Sequence, residues 1–511
     1  MDAKDHSEFV MSLFVDISSL KIVDDYVVDG VRVVISVSDK GLKYNALEPY
    51  LSDSELNVYN DVYSDLINRQ YFDPNKITFD SLSSLFLNCA IQLKKDKIVK
   101  KNLSSFLYYL KRNVLGYDIL DVLIKDDDVA DFGISHDDAP VTLLHRRHTP
   151  GNRIPTNLKY EDIKDDAKKI ILSATKQSDS LLAHLAQKMG SRHLTESEPY
   201  LEGTLPSGAR ATLWKRGTTN PMGNVFTIRK PLTTPITITQ LLRDNVIPYE
   251  LSALIWLILD TSGGTGVIFG APNSGKTTTT NALTNFINPH HRIFTVEDNA
   301  EFCLFQDDVT STITKKSDPA HTVTYMTLFV RIMRLTPDFV CVGEVRLSEI
   351  EGMLHLFESG CPAIGTFHAT DEEAAMSRFF KLGVLEAQLL DIGFLLGMGM
   401  ISLQNNTRKV ISFSESFVKE NGDVGFDRIV TYDRINDSFE GSDLDTLIKS
   451  RRAIECAKLR GVSDIRVDLE GRVNFLKMLV GQKKFTPSEV KLSFEGYYNR
   501  DLLRPYKSNL L

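Results

Sequence analysis

Residues 267–278 read Val267-Ile268-Phe269-Gly270-Ala271-Pro272-Asn273-Ser274-Gly275-Lys276-Thr277-Thr278. An apolar strand gives way to a tight loop, and the run from Thr278 to Leu283 opens a helix. Gly270 to Thr277 fits the phosphate-loop pattern G-x-x-x-x-G-K-T. The spacing has a chemical reason. Glycines let backbone N–H groups turn inward around a polyphosphate, and the following helix adds its positive N-terminal end. Lys276 can reach the outer phosphates, and the Thr277 hydroxyl can ligate Mg²⁺. Gly270 through Thr278 are therefore the candidate nucleotide-binding residues.

Three further strand ends carry polar residues that nucleotide hydrolysis needs. Val296-Glu297-Asp298-Asn299-Ala300-Glu301 offers a carboxylate, Glu297, to orient or deprotonate a water. Thr336-Pro-Asp-Phe-Val-Cys-Val-Gly-Glu344 is an apolar strand that ends in an acid suited to Mg²⁺ and its waters. Gly365-Thr-Phe-His368 places a histidine just after a buried strand, where it can sense or stabilise a phosphoryl group. A lone acid or a lone histidine is more often structural. Four strands ending in order in a phosphate loop, an acid, an acid and a histidine are not, because the strand ends of an open parallel sheet converge on one crevice.

The chain's 511 residues suffice for two to four domains of roughly 100–200 residues each. Hydrophobic residues at 42% and charged residues at 25% provide real cores. A net charge of −8 argues against a dedicated nucleic-acid binder. The five cysteines are far apart with no C-x-x-C pair, which points to reduced thiols rather than a disulfide framework or a zinc site. The N-terminus is acidic and lacks a signal-peptide pattern, and the most apolar window, Leu251 to Leu259, is too short to span a bilayer.

Taken in order, residues 1 to about 50 carry runs such as Phe14–Ile17 and Val31–Val37 that read as strands, with Asp-Gly and Lys-Gly turns. From Ser52 to about Asn113 the period turns helical. A second segment runs from Gly116 to Pro231, with expected strands at Val122–Ile124, Ala130–Ser135 and Val141–Leu144, and a helix over Tyr160–Met189. Pro231 to Pro235 reads as an extended hinge. Beyond it, expected strands at Val267–Phe269, Ile293–Glu297, Phe339–Gly343, Ala363–Phe367 and Gly399–Leu403 alternate with helices, the pattern of a mostly parallel sheet. Hairpins with turns at Asn421-Gly422 and Asn436-Asp437 follow, then helices.

In this order, the four motifs resemble those of the type II/type IV secretion ATPases, the GspE-like motors of secretion, pilus and archaellum assembly. The loop Gly270–Thr277 is similar to their Walker A, Val296–Phe302 to their acidic box, Arg334–Arg346 to their atypical Walker B, and Gly365–Ala369 to their His box. Leu205–Arg210 and Phe226–Arg229 resemble arginine-bearing segments of the family's preceding domain. The sequence departs from the family at Leu335-Thr336, where a Met-Arg-type pair is usual, and at Gly360-Cys361, where a Gly-His pair is common. It also lacks the paired C-x-x-C zinc insertion of many bacterial members, which argues against a metal other than Mg²⁺.

The resemblance implies an α/β fold with a RecA-like P-loop ATPase core (238–511, with a C-terminal helical tail). Before it come a hinge linker (231–237), a PAS-like middle α/β domain contributing arginines (116–230) and an N-terminal α+β domain (1–115). It implies an ATP- and Mg²⁺-dependent ring of six subunits. In that ring Lys276 and Thr277 bind phosphate and Mg²⁺, Glu297 and Glu344 handle water and metal, His368 is the His-box residue, and Arg210 and Arg229 neutralise charge. It further implies a cytoplasmic protein at the membrane face of a polytopic platform partner, with no direct nucleic acid. Two other readings share the core: a nucleic-acid translocase, which predicts stimulation by DNA or RNA, and a nucleotide-gated scaffold without turnover.

Overall fold

A computed structural model describes residues 20–503 except 70–75, 137–138, 149–151, 160–177, 191–193, 196, 218, 232–233, 315–321, 346–348, 403–406 and 419–421. Phe14–Ile17, Leu232-Thr233 of the expected hinge, Arg346, Leu403, Asn421 and the first part of the Tyr160–Met189 helix lie outside the described residues. The chain divides into two units, Met1–Leu232 and Thr233–Leu511.

The strands of the first unit are β1 (Lys21–Val28), β2 (Val31–Ser38), β3 (Gly41–Leu47), β4 (Val129–Ile134), β5 (Pro140–His145), β6 (Ile154–Lys159), β7 (Tyr200–Thr204), β8 (Arg210–Trp214) and β9 (Val225–Arg229). They form one sheet in the order β1-β2-β3-β6-β5-β4-β9-β8-β7. Asp29 and Gly30, with φ of 44° and 87°, close the first hairpin in the left-handed conformation that a two-residue turn demands. The sheet runs across the expected boundary at residue 115. β3 meets β6 in parallel, and the Asn157 side-chain amide brackets the Ala46 backbone, accepting from its N–H at 2.8 Å and donating to its carbonyl at 2.9 Å. The Tyr26 and Tyr44 hydroxyls both donate to Asp126, each at 2.8 Å. Near the sheet's other edge, Trp214 of β8 is partly exposed beside Tyr200 of β7.

The helices between residues 53 and 110 pack a separate core around Tyr59, Phe86 and Phe106. Beneath them Arg112 is 1% exposed and pairs with Glu48 at 2.6 Å and Asp118 at 3.2 Å. Val122–Ile124, expected as a strand, instead lies in the helical turn Asp121–Lys125. Three apolar residues in a row carry no period, and this run is buried on every side, so length and burial do not separate strand from helix there. The described part of the next helix runs from Ser178 to Lys188.

The second unit's strands are β10 (Thr265–Gly270), β11 (Ile293–Glu297), β12 (Val309–Ile313), β13 (Phe339–Val345), β14 (Ala363–Phe367), β15 (Phe394–Ser402), β16 (Thr407–Val418), β17 (Val424–Asp433) and β18 (Ser438–Glu440). Their order is β12-β11-β13-β14-β10-β15-β16-β17-β18. The pairs from β12 to β15 are parallel, and β15 to β18 form an antiparallel extension. The strand expected at Gly399–Leu403 begins five residues earlier, at Phe394. Its glycines are sites of close packing rather than breakers: a Cβ at Gly397 would fall 2.5 Å from Ser412 Oγ and 2.8 Å from the Phe269 ring.

Buried side chains of the helix Tyr249–Leu259 meet the C-terminal helices Ile465–Gly481 and Pro487–Leu503. Trp256 stacks on Phe286 at 5.5 Å with an interplanar angle of 5°, and the Arg472 guanidinium lies 4.7 Å from its ring. The Tyr498 hydroxyl accepts from Trp256 Nε1 at 2.9 Å and donates to the Phe286 carbonyl at 2.6 Å. None of the five cysteines is in a disulfide. Among the described residues no helix is long and apolar enough to cross a membrane.

Candidate functional site

β10 delivers the phosphate loop, and the helix Lys276–Leu283 follows it directly. The loop is drawn tight. Asn273 and Gly275 have φ of 62° and 95°, and a Cβ on Gly270 would fall 2.5 Å from Ser274 Oγ. Ser274 Oγ is buried and has no hydrogen-bond partner among the described residues. Lys276 is buried, and its Nζ donates to the carbonyls of Gly270 at 3.0 Å and Ala271 at 3.1 Å, back across the loop.

The neighbouring strand ends bring the other groups to the same edge. β14 lies next to β10, with β13 beyond it, so one strand separates the phosphate loop from the Glu344 strand. Between β13 and β14 the register slips at Gly343, since Val342 opposes Gly365 while Glu344 opposes Thr366. This bulge re-aims the Glu344 side chain. Gly343 is glycine for a reason of space: a Cβ there would sit 3.3 Å from the Cα of Glu297. The Glu344 carboxylate meets His368 Nε2, and His368 Nδ1 lies 3.2 Å from Lys276 Nζ.

Glu297, the acid expected to orient or deprotonate a water, is held inside the fold. It is 2% exposed. Its Oε1 accepts from the backbone N–H groups of Glu301 at 2.7 Å and Phe302 at 2.9 Å, and Thr295 Oγ1 donates to its other oxygen at 3.2 Å. Burial pushes its pKa up to about 7 against the pull of these donors. Glu297 thus folds the acidic segment back on itself and presents the next acid. Thr277 Oγ1 donates to Glu301 Oε2 at 3.3 Å.

Arg210 and Arg229 belong to the first unit, where they stand opposite each other in the β8–β9 ladder. Arg210 pairs with Glu202 at 3.5 Å, and Arg229 is in register with Asp131 on its other side. Sequence reasoning passed over two residues. Glu301 sits in the acidic segment but was overshadowed by Glu297, and the four-residue offset between the two is its only local signal. Arg408, on β16, donates from Nε to the Asn273 carbonyl at 2.8 Å, and nothing in its neighbourhood marks it. An open depression of about 450 Å³ near Asp260, His291 and Cys361 lies at the amino ends of the strands, the opposite pole from Lys276.

A family profile described as Type II/IV secretion system protein matches residues 186–479, more than half of the chain. The chain belongs to this family. Within the type II/IV secretion proteins it is 28% identical over 417 residues to the uncharacterized protein MJ0900 of Methanocaldococcus jannaschii, covering 80% of this chain and 72% of that one. It is 27% identical over 249 residues to the type IV secretion system protein PtlH of Bordetella pertussis, covering 44% of this chain and 73% of PtlH. The solved structure of the Legionella pneumophila ATPase DotB aligns over 72% of this chain and 96% of its own at 14% identity, with a TM-score of 0.39. As a type II/IV secretion protein, the chain has a mixed α/β fold.

Proposed function

We propose that this protein is a Mg²⁺-dependent ATP hydrolase that works as a ring of six subunits and drives protein secretion or the assembly of a pilus- or archaellum-like filament. The observation that carries this reading is the Lys276–His368–Glu344 contact, which joins a phosphate loop to an acidic strand end across the strand between them. The loop fits a polyphosphate: its glycines leave no room for a Cβ, and Ser274 carries a buried hydroxyl with no partner among the described residues. Thr277, Glu301 and Glu344 offer the hard oxygens that Mg²⁺ prefers, in a number that leaves ligands for water and phosphate. The metal, when bound, neutralises phosphate charge.

The chain's own residues supply the rest. Lys276 and the N–H groups of the loop bind the phosphates. Glu344 and Glu301 orient the attacking water and take its proton, and Glu297 positions Glu301. His368 reports the state of the outer phosphate to Glu344. Arg210 and Arg229 add positive charge when the first unit closes on the nucleotide, which couples hydrolysis to domain movement. Movement is passed to a polytopic membrane platform from its cytoplasmic side.

The test is steady-state Mg-ATP hydrolysis of the full chain, with its mass in solution measured in nonhydrolysable ATP. Lys276→Ala abolishes turnover, and Glu344→Gln binds ATP but hydrolyses it slowly. Hydrolysis by Lys276→Ala at the wild-type rate overturns the reading. Strong stimulation of the wild type by single-stranded DNA replaces it with a translocase.

A further inference from the structure

The phosphate loop has two sides. On one side of β10 are β14 and β13, bearing His368 and Glu344, and on the other are β15 and β16. Lys276 points toward the first side, since its Nζ meets both the Gly270 carbonyl and His368. The outer phosphates of a nucleotide belong there. A nucleotide held at that end leaves the loop toward the other side, over β15 and β16.

That other side is marked by Arg408. Its Nε donates to the carbonyl of Asn273, the residue held at φ 62°. Its stem packs so closely on the loop that a Cβ at Gly275 would lie 2.9 Å from Arg408 Cδ. This places a guanidinium at the edge of the loop, carried by a strand that neither the phosphate-loop pattern nor the acidic and histidine motifs reach. A guanidinium suits the nucleoside part of a nucleotide because its flat face stacks on a base, which a bare polyphosphate lacks.

We propose that Arg408 stacks its guanidinium on the base of the bound nucleotide and so separates nucleotides from bare polyphosphate. The inference rests on the nucleotide-binding reading above. A residue that only braced the loop through Asn273 would matter equally for every ligand of the loop.

The experiment is calorimetric titration of the full chain with Mg-ATP, Mg-ADP and Mg-tripolyphosphate, for the wild type, Arg408→Ala and Arg408→Lys, each checked for an unchanged melting temperature. Arg408→Ala is expected to weaken ATP and ADP by about tenfold, the weight of one stacked base, and to leave tripolyphosphate within about twofold. Arg408→Lys recovers only part of the loss, because an ammonium has no flat face to stack. Equal weakening of all three ligands reduces Arg408 to a brace and overturns the proposal, as does weakening of ATP and tripolyphosphate with ADP untouched. If Arg408→Ala fails to fold, the Arg408→Lys ratios decide on the same terms. A wild type that binds nucleotides but does not hydrolyse them sinks the ATPase reading and leaves this comparison intact. A wild type that binds tripolyphosphate as tightly as ATP sinks the Arg408 contact alone.

Discussion

The ammonium of Lys276 stands 3.2 Å from Nδ1 of His368, and Nε2 of the same ring meets the Glu344 carboxylate. An ammonium can only donate, so Nδ1 accepts and the ring proton sits on Nε2. One neutral tautomer therefore links the phosphate-loop lysine to the acid at the end of β13. Replacing His368 with alanine cuts that link while leaving the loop's own hydrogen bonds in place. Turnover should fall about 10²-fold, the usual effect of losing one positioned polar group, with nucleotide affinity changing far less. Steady-state hydrolysis and calorimetry together check this, and a KM effect with kcat unchanged would assign His368 to binding instead.

Glu297 and Glu301 should separate on substitution. Glu301→Gln removes the carboxylate beside Thr277 and should slow hydrolysis about 10²-fold or more. Glu297→Gln keeps an acceptor for the two backbone N–H groups and should slow it less. Equal losses in single-turnover assays would return the water-handling role to Glu297.

The same residue sets a pH dependence of stability. Its pKa of about 7 in the fold lies above the 4.5 of the free side chain. Between these values the folded chain holds a proton that the unfolded chain has released, so stability drops as pH rises from about 4.5 to about 7 and levels off above. The whole effect is about 3 kcal/mol. Glu297→Gln should therefore gain stability relative to the wild type as pH goes from 5 to 8, measured as the difference in urea midpoint. A difference that stays flat with pH would mean that Glu297 ionises normally.

Arg112 neutralises Glu48 and Asp118 in a site sealed from water. Arg112→Ala leaves two buried carboxylates without their counter-charge, a loss of about 3–5 kcal/mol. Hydrogen exchange gives the local readout. Amide protection in the helices between residues 53 and 110 should fall by about 10²-fold or more, with the phosphate-loop helix unaffected.

Tyr498→Phe keeps the ring and deletes one hydroxyl. That hydroxyl satisfies both Trp256 Nε1 and the Phe286 carbonyl, so its loss should cost about 1–3 kcal/mol and loosen the 284–286 turn. Unchanged exchange at that turn would show that the aromatic packing alone holds it.

The sequence was most legible where chemistry constrains spacing. The loop from Gly270 to Thr277 and the strand ends at Glu297, Glu344 and His368 carry their geometry in local patterns, and a parallel sheet brings such ends together. Topology was legible only in part. The apolar strands β10, β11, β13 and β14 announce themselves, whereas β12 is a Thr/Ser-rich edge whose pairing supplies what its composition does not. The sheet shared by β3 and β6 depends on partners more than a hundred residues apart, which no local pattern encodes. The bulge at Gly343 and the approach of Arg408 to Asn273 are likewise tertiary facts. That Glu297 is sealed while Glu301 reaches Thr277 turns on burial, which four residues of an acidic run do not reveal.

The chain's two tryptophans fall one to each unit: Trp214 is 38% exposed on β8, and Trp256 is fully buried against Phe286, at the far end of the segment that starts at Lys276. Their emission should differ in colour, and iodide should quench only Trp214. Intrinsic fluorescence then offers two optical channels without labelling. The iodide-resistant, blue-shifted channel follows the unit that holds the phosphate loop, and the iodide-sensitive, red-shifted channel follows the unit that holds Arg210 and Arg229.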